Sequence, residues 1–486
     1  MKQTPPHIAI LPGPGISHLI PFVELARRLV VHHELHVTCI IPCTPDDHPP
    51  SDATKAVLES LPKRNAHTIF LPPVNFDDLP NDTNPSRKNT LTMTRSLPSI
   101  HHVLKSLASS ASTTALFVDP FGLDALDIAK ELDISFYLFF PTNAMSLSLV
   151  LHLPKLDEIA ASYDFMRDLP EPVKLPGCPP LRGGDLFASI QDRRTDTYKE
   201  RVQFAKRIVS AGGIDGIIFN SFMDIEPDAI RALQERRIGG SVMPIYPVGP
   251  IVQTGSIGQI NKDSECLTWL DNQPRGSVLY VSFGSGGTLS YDQVTELAFG
   301  LEMSGQRFIW VVKRPNNKFP NAAYLSHRPQ GPFKPLDFLP HGFVERTKGR
   351  GLVVDFWAPQ ARVLGHSSTG GFLSHCGWSS TLESFLYGVP LIAWPLFAEQ
   401  KLNAVLLVER LKVALRPKAD EDGLIRRKEI ACVVKALMEG TGEEGRIVRE
   451  RTKALKDSTS KALDKDGSSA RALSELASTL KTTASN

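Results

Sequence analysis

The chain is 486 residues long, 42% apolar and 22% charged, a composition that fits a folded globular protein longer than one ordinary domain. With 54 Lys plus Arg against 52 Asp plus Glu, the formal net charge is +2, which gives no electrostatic case for binding nucleic acid or an anionic membrane. No stretch approaches the roughly 18 apolar residues of a membrane span, and six scattered cysteines show neither zinc spacing nor a disulfide framework.

The opening MKQTPPHIAIL has no apolar signal core. A cytoplasmic chain with free thiols is therefore expected, in which the sequon Asn81-Asp82-Thr83 is incidental. The first half alternates apolar strands, expected over 7–12, 35–41, 115–119, 136–141 and 216–220, with helices expected over 19–31, 122–132 and 198–210. Such alternation implies a parallel sheet covered by helices.

The first strand runs into Gly13-Pro14-Gly15-Ile16-Ser17-His18. This resembles a dinucleotide fingerprint, but the third glycine is missing and the second strand ends without an acidic ribose ligand, so a nicotinamide oxidoreductase is disfavoured. The glycines instead suit a tight turn and close approach of a ligand to the backbone. His18 then stands at the carboxyl end of a buried strand, where α/β enzymes place their chemistry. Asp119 ends another strand and reads two ways: as a helix cap, or as the carboxylate that orients His18.

A Pro- and Gly-rich stretch at 243–250 reads as the start of a linker that runs to about 263. The organisation expected is an N-terminal domain over 1–245, a linker over 246–263, a C-terminal domain over 264–445, and terminal helices over 446–486 that pack back on the first domain. The second half repeats the α/β scheme, with strands expected over 278–283, 308–312, 352–356, 371–374 and 390–394. A long irregular region over 313–339 has the length of a functional flap.

Two loops in this half follow strands and precede helices. One is Ser282-Phe283-Gly284-Ser285-Gly286-Gly287, with a helix expected from about Ser290. The other is His375-Cys376-Gly377-Trp378, with a helix expected from about Ser380. Both junctions offer free N–H groups and positive dipole ends to a diphosphate, with His375 as an additional carrier of its charge. Ordinary helix capping explains the serines but not His375, Glu383 and the flanking tryptophans together. The acidic Asp420-Glu421-Asp422 precedes Gly423 in a polar turn, and no metal is required.

The residues from Trp357 to Gln400, WAPQARVLGHSSTGGFLSHCGWSSTLESFLYGVPLIAWPLFAEQ, resemble the signature box of the plant secondary-product UDP-glycosyltransferases. Details such as LHLPKLDE and SVLYVSFGSGGTL are similar to the phenol-directed branch that includes hydroquinone glucosyltransferases. The resemblance implies the GT-B fold: two facing Rossmann-like domains with parallel sheets and a cleft between them. It implies that Trp357 stacks on uracil with Ala358 and Gln360 nearby, and that Glu383 holds the ribose. His375, Ser380 and Ser285 would hold the diphosphate, and Glu399, Gln400, Trp378 and Thr142 the sugar. Ser379 stands where the family most often has Asn, which puts a direct side-chain contact to phosphate there in question.

The closing Gln implies glucose as the sugar. His18 would be the base and Asp119 its orienting partner. Ile16, Phe121 and Phe140 are candidates for the wall of an acceptor pocket. The expectation is an inverting transfer from UDP-glucose, a co-substrate, to the hydroxyl of a small phenol, monolignol or indoxyl, with aryl amines as the alternative acceptor. A monomer is expected.

Overall fold

The computed structural model describes residues 5–45, 50–80, 83, 85–111, 113–210, 212–238, 240–252, 265–323 and 335–483. The expected sequon at Asn81, most of the linker, and the 324–334 part of the expected flap lie outside them.

Seven strands form the first sheet: β1 (His7–Leu11), β2 (His36–Ile41), β3 (Ala66–Phe70), β4 (Thr113–Val118), β5 (Ser135–Phe140), β6 (Gly216–Phe219) and β9 (Ile245–Pro247). Between the last two, β7 (Arg237–Ile238) and β8 (Ser241–Val242) make a separate antiparallel hairpin. The first sheet is parallel throughout, in the order β3-β2-β1-β4-β5-β6-β9. Strands such as HIAIL are buried along their whole length because helices cover both faces of the sheet.

The second sheet has β10 (Val278–Ser282), β11 (Arg307–Val312), β12 (Gly351–Asp355), β13 (Thr369–Ser374), β14 (Leu391–Ala393) and β15 (Ala414–Leu415). It too is parallel, in the order β12-β11-β10-β13-β14-β15. In each sheet the winding reverses beside the first strand, between β1 and β4 and between β10 and β13. Loops leaving the carboxyl ends of such a pair part to opposite faces and open a crevice.

Several expectations change. The Pro-rich 243–250 stretch is not all linker: Ile245–Pro247 pairs with β6 as the seventh strand. Proline is tolerated there because this is the sheet edge. The helix expected over 122–132 is a 3-10 turn, Pro120–Ala125, followed by a short α-helix, Leu126–Glu131. Two helices close the chain, Gly442–Leu463 and Ser468–Thr483. Leu473, Leu476 and Leu480 of the last helix share a buried cluster with Ile8, Ile10, Phe22 and Leu25 of the first domain. Among the described residues, no helix is long and apolar enough to cross a membrane.

Candidate active site

Both crevices open into one cleft of about 2110 Å³. That is more than one small-molecule site of roughly 300–1,000 Å³ requires, so two ligands fit side by side. Cross-cleft hydrogen bonds tie its walls: Asn143 Nδ2 donates to Asn403 Oδ1 (2.6 Å) and the Ala188 N–H to the Ala398 carbonyl (3.1 Å).

On the first-domain wall, the helix Ile16–His33 starts two residues before His18, after Gly15 at φ 97°. Leu11 of β1 is in register with Val118 of β4, which brings His18 beside Asp119. His18 Nδ1 lies 2.6 Å from Asp119 Oδ2. Asp119 is fully buried, whereas the His18 side chain keeps 21% of its exposure. The other carboxylate oxygen, Oδ1, accepts the Phe121 N–H at 3.0 Å.

Asp119 is therefore both a cap and an orienting group. An ionised carboxylate accepts only, so Nδ1 carries the proton and Nε2 is left as the acceptor. Burial, and more weakly the Arg201 charge, lower the His18 pKa, but the Asp119 charge and hydrogen bond, with the Glu399 charge, leave it raised. Gly13 is required here, since a Cβ on it would sit 2.9 Å from the Asp119 carboxyl.

Ile16, Phe121 and Phe140 all line the cleft beside this pair, joined by Leu149, Val150 and Phe204. The Phe121 ring stands 5.4 Å from the His18 ring. Thr142 lines the same wall, and its buried hydroxyl makes no hydrogen bond.

On the second-domain wall, Ser282 of β10 pairs with Ser374 of β13, so their two loops meet. Gly284, at φ 72°, and Gly377 both pack on the His375 imidazole, and a Cβ on either would overlap it. Ser285 and Gly286 line the cleft. The helix after this loop is Tyr291–Ser304, capped by Ser290, and its first residues do not line the cleft. At this junction the loop faces the cleft and the helix end does not. The other junction differs: the helix Trp378–Tyr387 begins directly after Gly377, no side chain caps it, and Trp378, Ser379 and Ser380 line the cleft. Its first N–H groups are free for an anion.

His375 departs from expectation. Burial first, and then the nearby Lys313 charge, push its pKa down to about 3. It is a neutral imidazole, able to donate a hydrogen bond to a phosphate but not to supply positive charge.

A cation does stand at this loop: Lys313, a residue not singled out from the sequence. Its ammonium donates to the carbonyls of Gly284 and Ser285, the latter at 2.5 Å. In a trans peptide the N–H points opposite to the C=O. Lys313 therefore turns the N–H groups of Ser285 and Gly286 away from itself, making a small anion-binding nest. A lysine at the end of strand β11 was the available signal.

Beyond β12, Trp357 is 48% exposed at the cleft and Ala358 is buried beside it. Gln360 Nε2 bridges Ser380 Oγ (2.9 Å) and Glu383 Oε2 (2.7 Å). Ser380 and Glu383, three apart, share one helix face. Burial pushes the Glu383 carboxyl up to about 7, against the Gln360 hydrogen bond that lowers it. Glu399 is likewise raised by burial. Gln400 Oε1 accepts from the Leu396 and Phe397 N–H groups (2.9 and 3.0 Å), leaving its NH2 as a donor.

Trp378 is placed differently from what the resemblance implies. Its indole N–H donates to the Asn220 carbonyl of the first domain at 2.5 Å, so its side-chain donor is spent on joining the walls. The acidic turn at Asp420 is committed to Arg426. Among the described residues, no group of three His, Cys, Asp or Glu side chains is placed to hold a metal.

Residues 243–418 match the family model described as UDP-glucoronosyl and UDP-glucosyl transferase. The chain is 54% identical to a hydroquinone glucosyltransferase of Rauvolfia serpentina over 98% of both chains. It is 52% identical to UDP-glycosyltransferase 72B1 of Arabidopsis thaliana, covering 97% of this chain and 95% of that one. Among solved structures, Phytolacca americana UGT2 complexed with UDP-2-fluoro-glucose and pterostilbene superposes with a TM-score of 0.86 at 46% identity, over 99% of this chain and 100% of that one. A Polygonum tinctorium UDP-glucosyltransferase capable of glucosylating indoxyl, complexed with 3,4-dichloroaniline, gives 0.87 at 47%, with the same coverage. Two parallel-sheet domains, a cleft at both switch points and full-length identity above one half converge on one conclusion: the chain belongs to the UDP-glycosyltransferase family and is an enzyme of the GT-B fold.

Proposed function

We propose that this enzyme transfers glucose from UDP-glucose, with inversion at the anomeric carbon, to the hydroxyl of a small aromatic acceptor. The carrying observation is the His18–Asp119 pair, which faces, within one cleft, the nest at Ser285 and the uncapped helix at Trp378. His18 Nε2 takes the phenolic proton as the oxygen attacks the anomeric carbon. The bond from that carbon to the diphosphate breaks, UDP leaves, and the proton passes from His18 to solvent. Asp119 stabilises the imidazolium. The nest, the helix N-terminus and a donated hydrogen bond from His375 stabilise the charge that grows on the departing diphosphate.

In this reading Trp357 stacks on uracil above Ala358, Glu383 accepts from the ribose hydroxyls, and Ser380 and Ser379 meet the phosphates. Thr142, Glu399 and Gln400 hold the sugar. Ile16, Phe121 and Phe140 enclose the acceptor ring. Both halves of the site come from one chain, which suits a monomer. None of the six cysteines is joined in a disulfide, which suits the cytoplasm.

Aryl amines are a second acceptor class. A neutral amine is already nucleophilic, and the Polygonum relative is seen with a chloroaniline. Incubation with UDP-glucose and a panel of hydroquinone, indoxyl, a monolignol and 3,4-dichloroaniline, read by mass spectrometry and NMR, is expected to give β-glucosides and UDP. An α-linked product, or none with any acceptor, sinks the proposal.

The donor site also predicts a compensated pH response. Ionised Glu383 accepts from the ribose hydroxyls with both oxygens and more strongly than the protonated acid does, so its contribution to UDP-glucose affinity grows as pH rises through about 7. Lys313, pushed down to about 7 by burial, contributes positive charge that is lost over the same interval. Between about pH 6 and about pH 8, calorimetric affinity for UDP-glucose is expected to strengthen with pH in Lys313→Met and to weaken with pH in Glu383→Gln. Parallel slopes in the two variants contradict these roles.

A further inference from the structure

The helix Asp196–Ser210 presents Thr197, Arg201 and Phe204 to the acceptor half of the cleft. Its other cations are occupied: Lys199 holds Asp196, Lys206 holds Asp157 and Arg207 holds Asp124. Arg201 makes no hydrogen bond or ion pair with any described residue. Its guanidinium carbon lies 5.4 Å from the centroid of Phe121, the ring that His18 also faces at 5.4 Å.

Two carboxylates lie near enough to act on Arg201 through their charge, and neither satisfies it. Glu200 is exposed. Asp119 has one oxygen on His18 and the other on the Phe121 N–H. Burial drives the Arg201 pKa down, yet a guanidinium does not deprotonate in proteins. Five fixed donors and a charge thus stand unspent in a pocket walled by Leu149, Val150, Phe121, Phe140 and Phe204. Arg201 is partly exposed to the cleft, so water serves its donors when no acceptor is bound. A ligand carboxylate can take that water's place in a charge-assisted pair beside the Phe121 ring.

We propose that Arg201 is a carboxylate-binding subsite, so that the favoured acceptors are one-ring phenolic acids, the hydroxybenzoate and hydroxycinnamate class. This rests on the glucosyl-transfer reading above. A ring packed on Phe121 reaches both groups. Its carboxylate takes the planar fork of Arg201 in paired hydrogen bonds, and its hydroxyl is left at His18 Nε2. The acid end is held away from the base, so the new bond forms at the phenolic oxygen. The product is an aryl glucoside, not a glucose ester.

The test compares kcat/KM for 4-hydroxybenzoate and for 4-hydroxybenzamide, a neutral analogue of the same shape, in the wild type and in Arg201→Gln, Arg201→Leu and Arg201→Lys. The wild type is expected to prefer the acid. In the Gln and Leu variants, kcat/KM for the acid should fall by about 10- to 100-fold, while that for the amide stays within about threefold. Lys should recover part of the loss. The amide rate also reports that each variant is folded. Equal losses on both acceptors, a wild type that prefers the amide, or a base-labile ester as the main product from the acid overturns the proposal. Failure of glucosyl transfer itself looks different, because no acceptor in the panel then releases UDP.

Discussion

His18→Ala is expected to lower kcat for phenol glucosylation by about 10²–10⁴-fold at neutral pH, with the affinity for UDP-glucose nearly unchanged. A phenol with a pKa of about 10 is almost wholly protonated near pH 7 and needs a positioned base. The imidazole is attached to the first-domain wall, so its removal leaves the nest, Glu383 and Trp357 intact. The raised His18 pKa gives the wild type a pH signature. Nε2 accepts a proton only in the neutral ring, so kcat/KM should climb as pH rises through a value above 6.5 and then level off. Asp119→Asn leaves the Phe121 cap available but removes the charge that raises this pKa, so the climb should move to lower pH while the plateau falls. Stopped-flow or discontinuous assays with one phenol across the pH range separate these effects. An Ala variant that turns over phenols at near wild-type rate ends the base assignment.

Gly284→Ala is expected to weaken UDP-glucose binding by about 10²-fold or more, the scale of losing an aligned oxyanion donor, with the fold retained. Two independent costs fall on this one methyl. The backbone is at φ 72°, a region that disfavours side chains by roughly 1–2 kcal/mol. The added Cβ also overlaps the His375 ring, which is buried and cannot retreat. The loop must lift, and lifting it takes the Ser285 and Gly286 N–H groups off the line that Lys313 sets. Calorimetry with UDP-glucose, alongside circular dichroism, reads the result. Wild-type affinity in the Ala variant would show that the loop is not the diphosphate cradle. Ala in place of Gly286 carries no such double cost on the backbone side, because its φ is not positive.

Much of the architecture was legible in the sequence because parallel strands, buried on both faces, are written as apolar runs such as HIAIL and VLYVS. The glycine-bearing loops were legible too, since tight turns and close ligand approach restrict the residue type. Two strands escaped: β3 has mixed burial, exposed at His67 and Phe70, and β9, though buried, hides within prolines at a sheet edge. Local patterning cannot reveal a strand whose only stabilising partner is remote in sequence.

The same division runs through the site. His18, Asp119 and Ser380 stand out by residue type at strand and helix ends, with Glu383 one turn on. The donor half, Gln400 included, was legible through the resemblance of the 44 residues from Trp357 to Gln400 to a family signature. Only the tertiary structure decided which charges those groups carry. His375 is neutral because burial and Lys313 act on it together, and Lys313 itself was invisible until β11 brought it beneath the Gly284 loop. Arg201 is one of many basic residues on amphipathic helices, distinguished only when its neighbours prove to be paired and it does not. Residue types are local, but the charge and partners of a group depend on dielectric and distance, which the chain acquires only by folding.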